Sequence, residues 1–205
     1  GICSLNPQED RLAFSCLCEL DKQGNITDYK FAKTVIRSRV KGVYSEINSL
    51  LAGSDDAELK EKYAEVSGQL PIIKELADIL YKNKKNRGCP ELETSESKLI
   101  INDEDICVGV ERRTRGRSEE IIEDFMLVAN ECAARFGMDN NLPFVYRIHE
   151  EPSDEKLESL REALVKLNVQ YKLGEKACPG DMSEILKAAK GTDIDLIMNN
   201  IVLRS

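Results

Sequence analysis

Apolar residues at Ile122, Phe125, Met126, Ala129, Cys132, Ala133 and Phe136 recur every three or four positions. That spacing predicts an amphipathic helix over Ser118 to Phe136. Ile121, Leu127 and Val128 carry the apolar surface onto other faces, so this helix is expected to be buried and to act as the spine of a core. Ser118 is the expected N-cap, Glu119, Glu120, Glu123 and Asp124 complement the helix dipole, and Gly137 offers a stop. Glu123, Leu127 and Asn130 share one face at i, i+4 and i+7, so an acceptor and an amide stand above one another beside the stripe. By spacing alone this line reads as N-terminal charge plus an exposed Asn, with a binding face as the sharper reading.

Before that helix, Leu12, Phe14, Cys16, Cys18 and Leu20 alternate with Ala13, Ser15, Leu17 and Glu19. A turn at Asp21 to Asn25 and a second extended run from Ile26 to Ser38 complete an antiparallel hairpin. A short helix follows from Tyr44, with Tyr44, Ile47, Asn48 and Leu51 on one face. Asp55 and Asp56 cap a long helical stretch bearing Leu59, Tyr63, Val66 and Leu70, which Pro71 kinks or restarts. It finishes in Lys82, Lys84, Lys85, Arg87 and Gly88, a cluster that fits a helix C-terminus as well as a nucleic-acid patch. Leu99 to Ile101 and Ile106 to Val110 form a second hairpin around Asn102 to Asp105.

The densest basic run, Arg112 to Arg117, leads into the central helix, where arginines oppose the dipole, so a phosphate-facing loop is its better reading. After the helix, Phe144 to Ile148 and Val169 to Leu173 read as short strands. Ser153 opens a helix with Leu157, Leu160, Leu164 and Leu167 on one face. Asp181 with Glu184 resembles a capping box for a helix bearing Ile185, Leu186 and Ala189, closed by Gly191. Asp193 caps the last helix, with Ile194, Ile197, Ile201 and Leu203 turned inward. The fold class is α+β, with antiparallel hairpins flanking a mostly helical middle and a buried central helix.

Composition narrows the classes further. The 205 residues are 41% hydrophobic and 32% charged, ordinary for a soluble globular protein. No apolar run reaches membrane-spanning length and no signal-peptide pattern opens the chain, so a cytoplasmic location without a membrane partner is expected. Seven scattered cysteines without any C-x-x-C, and a single histidine, His149, point to reduced core thiols and away from a metal–thiolate site. A net charge of -8 argues against a polyanion-binding surface over the whole chain but leaves room for a local basic groove. The chain starts without Met and ends inside an apolar helical pattern, so it is expected to be cut from something larger.

Several segments, in order, carry a resemblance: CSLNPQEDRLAFS at Cys3 to Ser15, VIRSRVKGVY at Val35 to Tyr44, Arg87-Gly88, IIEDFMLVANECAARF at Ile121 to Phe136, PFVYRIHE at Pro143 to Glu150 and the closing IVLRS. Together they resemble the catalytic RNB domain of the bacterial ribonuclease R and ribonuclease II family, over nearly the whole chain. The resemblance implies a single partial RNB domain over residues 1–205, truncated at both ends, from an Mg2+-dependent exoribonuclease. Such an enzyme degrades single-stranded RNA, not DNA, from the 3′ end to nucleoside 5′-monophosphates by two-metal hydrolysis. It also implies that the metal-binding aspartates precede the CSLNP segment and that a catalytic arginine and a further glutamate follow LRS. The chain alone is then expected to bind no Mg2+ and to be inactive. The acidic pairs Asp55-Asp56, Asp103 with Asp105, and Asp193 with Asp195 sit at caps or a turn and do not suggest a substitute.

What the resemblance leaves in this chain is part of a substrate channel. Tyr44 matches a family position that contacts the RNA chain. Glu123 matches one that distinguishes ribose from deoxyribose, as a carboxylate accepting from a 2′-OH can do. The polar line of Glu123 and Asn130 thereby favours function. Arg115 matches an arginine near the RNA backbone or bracing the channel. Leu92 falls, by count, where the family usually has a base-stacking aromatic, so stacking of about 1–3 kcal/mol per base would be weakened. Two other classes stay open: a non-catalytic RNA-binding relative, and a protein-interaction module using the acidic helices from Asp55 to Lys85 and Ser153 to Lys166.

Overall fold

The computed structural model describes residues 3–92, 96–113, 115–148 and 150–205, so Gly1, Ile2, Glu93, Thr94, Ser95, Thr114 and His149 lie outside the described residues. By its contacts the chain divides into two units, residues 1–83 with 115–146, and residues 84–114 with 147–205. The mixed α and β architecture with two antiparallel hairpins is the expected fold class.

In the first unit, β1 (Asp10–Leu20) and β2 (Ile26–Arg37) form the first hairpin, with Phe14 opposite Lys33 and Cys16 opposite Phe31. Asp21 closes its turn by accepting from the backbone N–H of Gln23 and Asn25 at 2.8 Å each. α1 (Tyr44–Leu51), α2 (Ala57–Lys62) and the body of α3 (Leu70–Asn86) follow. The helical stretch after Asp56 is not continuous: α2 ends at Tyr63, and α3 starts afresh with Pro71 in its first turn, where a missing N–H costs nothing. The break has a tertiary cause. Tyr63 is wholly buried, and its hydroxyl accepts from Val43 N at 3.1 Å and donates to Glu46 Oε2, so the side chain is held against α1.

α4 (Arg117–Asp139) is longer than its pattern and packs on α1, β1 and β2. Its N-cap is Gly116, not Ser118, which sits buried inside the first turn. Gly137 does not stop it either. A Cβ there would lie 2.7 Å from Tyr146 Oη and 3.0 Å from Phe144 Cγ, so the glycine admits two aromatic side chains against the helix. The chain leaves the helix through Asn140 and Asn141, the latter at φ 50°. The buried side of α4 is Ser118, Ile121, Asp124, Cys132 and Gly137, whereas Ile122, Met126 and Phe136 of the anticipated stripe are exposed. The helix is rotated because its neighbours are a thiol-lined strand and an amide-bearing helix. Cys132 Sγ meets Cys18 Sγ at 3.7 Å, and Phe136 meets Phe31 edge-on at 5.6 Å. Leu12 and Phe14, 88% and 72% exposed, leave the far end of the hairpin open.

In the second unit, β3 (Glu96–Ile101) pairs with β4 (Cys107–Arg113), and Asn102 closes their turn by accepting from Glu104 N and Ile106 N. Arg112 and Arg113 therefore end a strand and do not belong to a loop. The core lies among α5 (Asp154–Lys166), α6 (Pro179–Ala189) and α7 (Asp195–Arg204), where Leu157, Leu160, Leu164, Ile185, Leu186, Met198 and Val202 are buried together. Ser153 caps α5 as expected. Asp181 is the third residue of α6 and accepts from Cys178 N at 2.7 Å, making Cys178 the cap. α7 starts after Ile194 instead of Asp193, and Met198 and Val202 face inward while Ile197 and Leu203 are exposed.

Phe144 to Ile148 and Val169 to Leu173 are not strands. Neither has a ladder partner among the described residues. Val169 and Leu173 instead bury their side chains in the helical core, with Tyr171 N turned back to Val169 O. All seven cysteines are free, in accord with the reduced state expected.

Candidate nucleic-acid interface

The polar features of the first unit converge where α1 meets the start of α4. Asn48, one turn after Tyr44 on α1, turns its side chain onto α4. Its Oδ1 accepts from Ser118 N at 2.8 Å, satisfying one of the N–H groups that a helix start leaves open. Its Nδ2 donates to Glu119 Oε2 at 3.0 Å. The same Glu119 oxygen accepts from Gly116 N at 3.1 Å, the one half of a capping box that a glycine N-cap, having no side chain, allows. Ser118 Oγ lies 3.0 Å from Tyr44 O and 3.1 Å from Glu119 Oε2, and its single proton serves one of them at a time. Burial pushes the Glu119 carboxyl up, but hydrogen bonds from Asn48, the backbone and Ser118 outweigh it and hold the group below the usual carboxylate range.

Gly116 is what lets Asn48 in. A Cβ on it would stand 2.1 Å from Asn48 Nδ2. The backbone there is extended, at φ -105°, so the requirement is for space and not for a left-handed conformation.

Of the expected site residues, Arg115 and Glu123 are brought together as an ion pair across the first turns of α4. Tyr44 is half-exposed at the start of α1, tied to this block through its carbonyl. Asn130 lies two turns beyond Glu123 and is exposed. Leu92 belongs to the second unit and is partly buried against the α5–α7 core, so its apolar character is met by packing. The basic run is divided among different tasks. Arg117 pairs with Asp78 at 2.6 Å and Glu120 at 2.9 Å, and its guanidinium stands 5.9 Å from the Tyr81 ring centre, fastening α4 to α3.

Sequence reasoning passed over Asn48 and Gly116. The available signal was a polar Asn on the otherwise apolar face of α1.

The described residues do not fit a resident Mg2+. Among the described residues no group of three or more His, Cys, Asp or Glu could hold a metal ion. Of the acidic pairs, Asp55 is engaged with Lys60, Asp56 with the first turn of α2, and Asp195 with Gly191 N and Asn199 Nδ2.

The chain belongs to the RNB domain family, which matches residues 1–205. It is 34% identical over its whole length to ribonuclease R 1 of Lactococcus lactis and 34% identical to ribonuclease R of Escherichia coli, and spans about a quarter (25%) of the length of each. In three dimensions 99% of the chain superposes on RNase R of Mycoplasma genitalium, solved with ribose-methylated single-stranded RNA, with a TM-score of 0.88 and 25% identity over 31% of that chain. The same enzyme solved with double-stranded RNA gives a TM-score of 0.89. Among the described residues no helix is long and apolar enough to cross a membrane.

Proposed function

We propose that this chain contributes a wall of the RNA channel in a cytoplasmic, Mg2+-dependent 3′ to 5′ exoribonuclease that degrades single-stranded RNA. Both of its units act as part of one catalytic domain, and the 205 residues alone do not cleave. The observation that carries this reading is the family match over the whole chain, joined to the α1–α4 junction, where Ser118 Oγ meets Tyr44 O and Arg115 pairs with Glu123. The RNA-bound Mycoplasma relative supports RNA as the ligand class.

In this reading the Glu123 carboxylate accepts a hydrogen bond from a ribose 2′-OH, which deoxyribose lacks. Arg115 orients that carboxylate and offers positive charge to a neighbouring phosphate. Tyr44 contacts the RNA chain beside them, and the Asn130 amide reaches the sugar-phosphate backbone further along α4. Leu92 has no π-face, so it carries no stacking. Because the described acidic residues do not fit Mg2+, the hydrolytic step belongs to residues other than these.

The test is Glu123→Ala in the full-length enzyme, assayed on matched RNA and DNA strands. One hydrogen bond to a charged group is worth about 1.5–3 kcal/mol, so RNA-over-DNA preference should fall at least tenfold while the fold is kept. Unchanged discrimination would remove Glu123 from this role.

A further inference from the structure

The Cys16, Cys18 and Cys132 thiols pack against one another, Lys187 on α6 pairs with Glu184, and nothing in the structure shows what covers the open face at Leu12 and Phe14. The α1–α4 junction is different, because its hydrogen bonds join α1, which starts at Tyr44, to the start of α4, which Arg115 precedes and which carries Glu123. We propose that Asn48 is a positioning residue for RNA recognition, holding Tyr44 on α1 in register with Arg115 and Glu123 on α4. This rests on the channel-wall reading above.

Asn48 is joined to α4 twice, through Ser118 N and Glu119 Oε2, while Ser118 Oγ reaches back to Tyr44 O. Arg115 immediately precedes the capped turn, and Glu123 follows it on the same helix. A shift of α1 on α4 would therefore change the distance between the Tyr44 ring and the Glu123 carboxylate.

Asn48 also supplies what the start of α4 lacks in itself. Gly116 has no side chain to accept from the first-turn N–H groups, and Asn48 Oδ1 accepts from Ser118 N in its place, so the cap of α4 comes from α1. The amide's distinctive contribution is the link between helices. Space is kept for the amide as well: any side chain at position 116 would meet it at 2.1 to 2.8 Å.

The experiment is Asn48→Ala in the full-length enzyme, with affinities for a single-stranded oligoribonucleotide and the matching oligodeoxyribonucleotide. RNA affinity should fall roughly tenfold, the effect of one hydrogen bond to a charged group, with DNA affinity unchanged. KM for RNA should rise with kcat kept. The double variant Asn48→Asp with Glu119→Gln exchanges donor and acceptor across the link and should regain most of the discrimination. Leu164→Ala, in the second unit, serves as a destabilised control that leaves the RNA-to-DNA ratio unchanged.

If Glu123→Ala and Tyr44→Ala narrow the RNA-to-DNA ratio but Asn48→Ala does not, the positioning role is overturned and the channel-wall reading stands. An equal loss for RNA and DNA in Asn48→Ala, accompanied by a lower Tm, would reduce Asn48 to a structural link and also overturn the proposal. If neither Glu123→Ala nor Tyr44→Ala changes the ratio, the underlying reading fails and this one falls with it.

Discussion

Replacing Gly116 by alanine tests the packing of the α1–α4 junction directly. The new methyl carbon would stand 2.1 Å from Asn48 Nδ2, 2.6 Å from its Cγ and 2.8 Å from its Oδ1, well inside contact distance. Alanine adopts φ -105°, ψ 179° without strain, so the backbone itself contributes nothing to the cost. The flexible amide is what must move, and it gives up its hydrogen bonds to Ser118 N and Glu119. One of those is neutral, worth about 1 kcal/mol, and the other is charged, worth about 1.5–3 kcal/mol. Water reaches this half-buried site and recovers part, leaving a loss of about 2 kcal/mol, to which alanine's poorer N-cap preference adds about 0.5–1 kcal/mol.

Urea unfolding should therefore show Gly116→Ala destabilised by about 3 kcal/mol with an unchanged slope. In an Asn48→Ala background there is no amide to displace, and the same substitution should cost only about 0.5–1 kcal/mol. The double-mutant cycle then gives a coupling of about 2 kcal/mol. Equal costs in the two backgrounds would refute the reasoning, because they would place the penalty in the helix start and not in the contact between helices.

Ile185 is fully buried in the α5–α7 core, so Ile185→Ala should cost about 3–4 kcal/mol in the same urea assay, and a loss below ~1 kcal/mol would deny it that place. The Tyr171 hydroxyl donates to Asp181 Oδ1 at 2.6 Å, and that bond, with burial, pushes the phenol up to about 12 from its ordinary 10.0. A raised pKa stabilises the fold fully below pH 10 and loses that contribution between about 10 and 12. Tyr171→Phe should accordingly be about 1 kcal/mol less stable at pH 8, with the gap closing as pH rises to 12; a constant gap would contradict the bond. Asp181, held below its ordinary 3.8 by hydrogen bonds from Cys178 and Tyr171, contributes stability above that pH and loses it as acid protonates the folded carboxylate. Burial pushes the Cys132 thiol up, so brief alkylation at pH 7.5 followed by mass spectrometry should label exposed Cys3, Cys89, Cys107 and Cys178 and leave Cys132 unmodified. Early labelling of Cys132 would show that its site opens readily.

Local periodicity was enough wherever one element buries one face against a simple apolar neighbour. Leu157, Leu160 and Leu164 marked α5 and its buried side, and the turn residues Asp21 and Asn102 located both hairpins. The family resemblance, carried by segments spread along the chain, was legible for the same reason: it needed only residue types in order. It also singled out Tyr44, Arg115 and Glu123, but not how they are joined.

Partnership across the chain was decided by the tertiary structure alone. Phe144 to Ile148 and Val169 to Leu173 alternate like strands, yet a strand exists only where another backbone offers its N–H and C=O groups. Ser118 has the side chain of an N-cap, but Asn48, seventy residues away, supplies a hydrogen bond to its N–H, and Gly116 supplies the space. The orientation of α4 was hidden for a related reason. Its long apolar surface allowed several buried sides, and the thiols of β1 and the amide of α1 selected one. The sequence determined which segments could be helices and hairpins and which family they serve. Which face each turns inward, and which polar groups meet, depends on long-range contacts that no local spacing encodes.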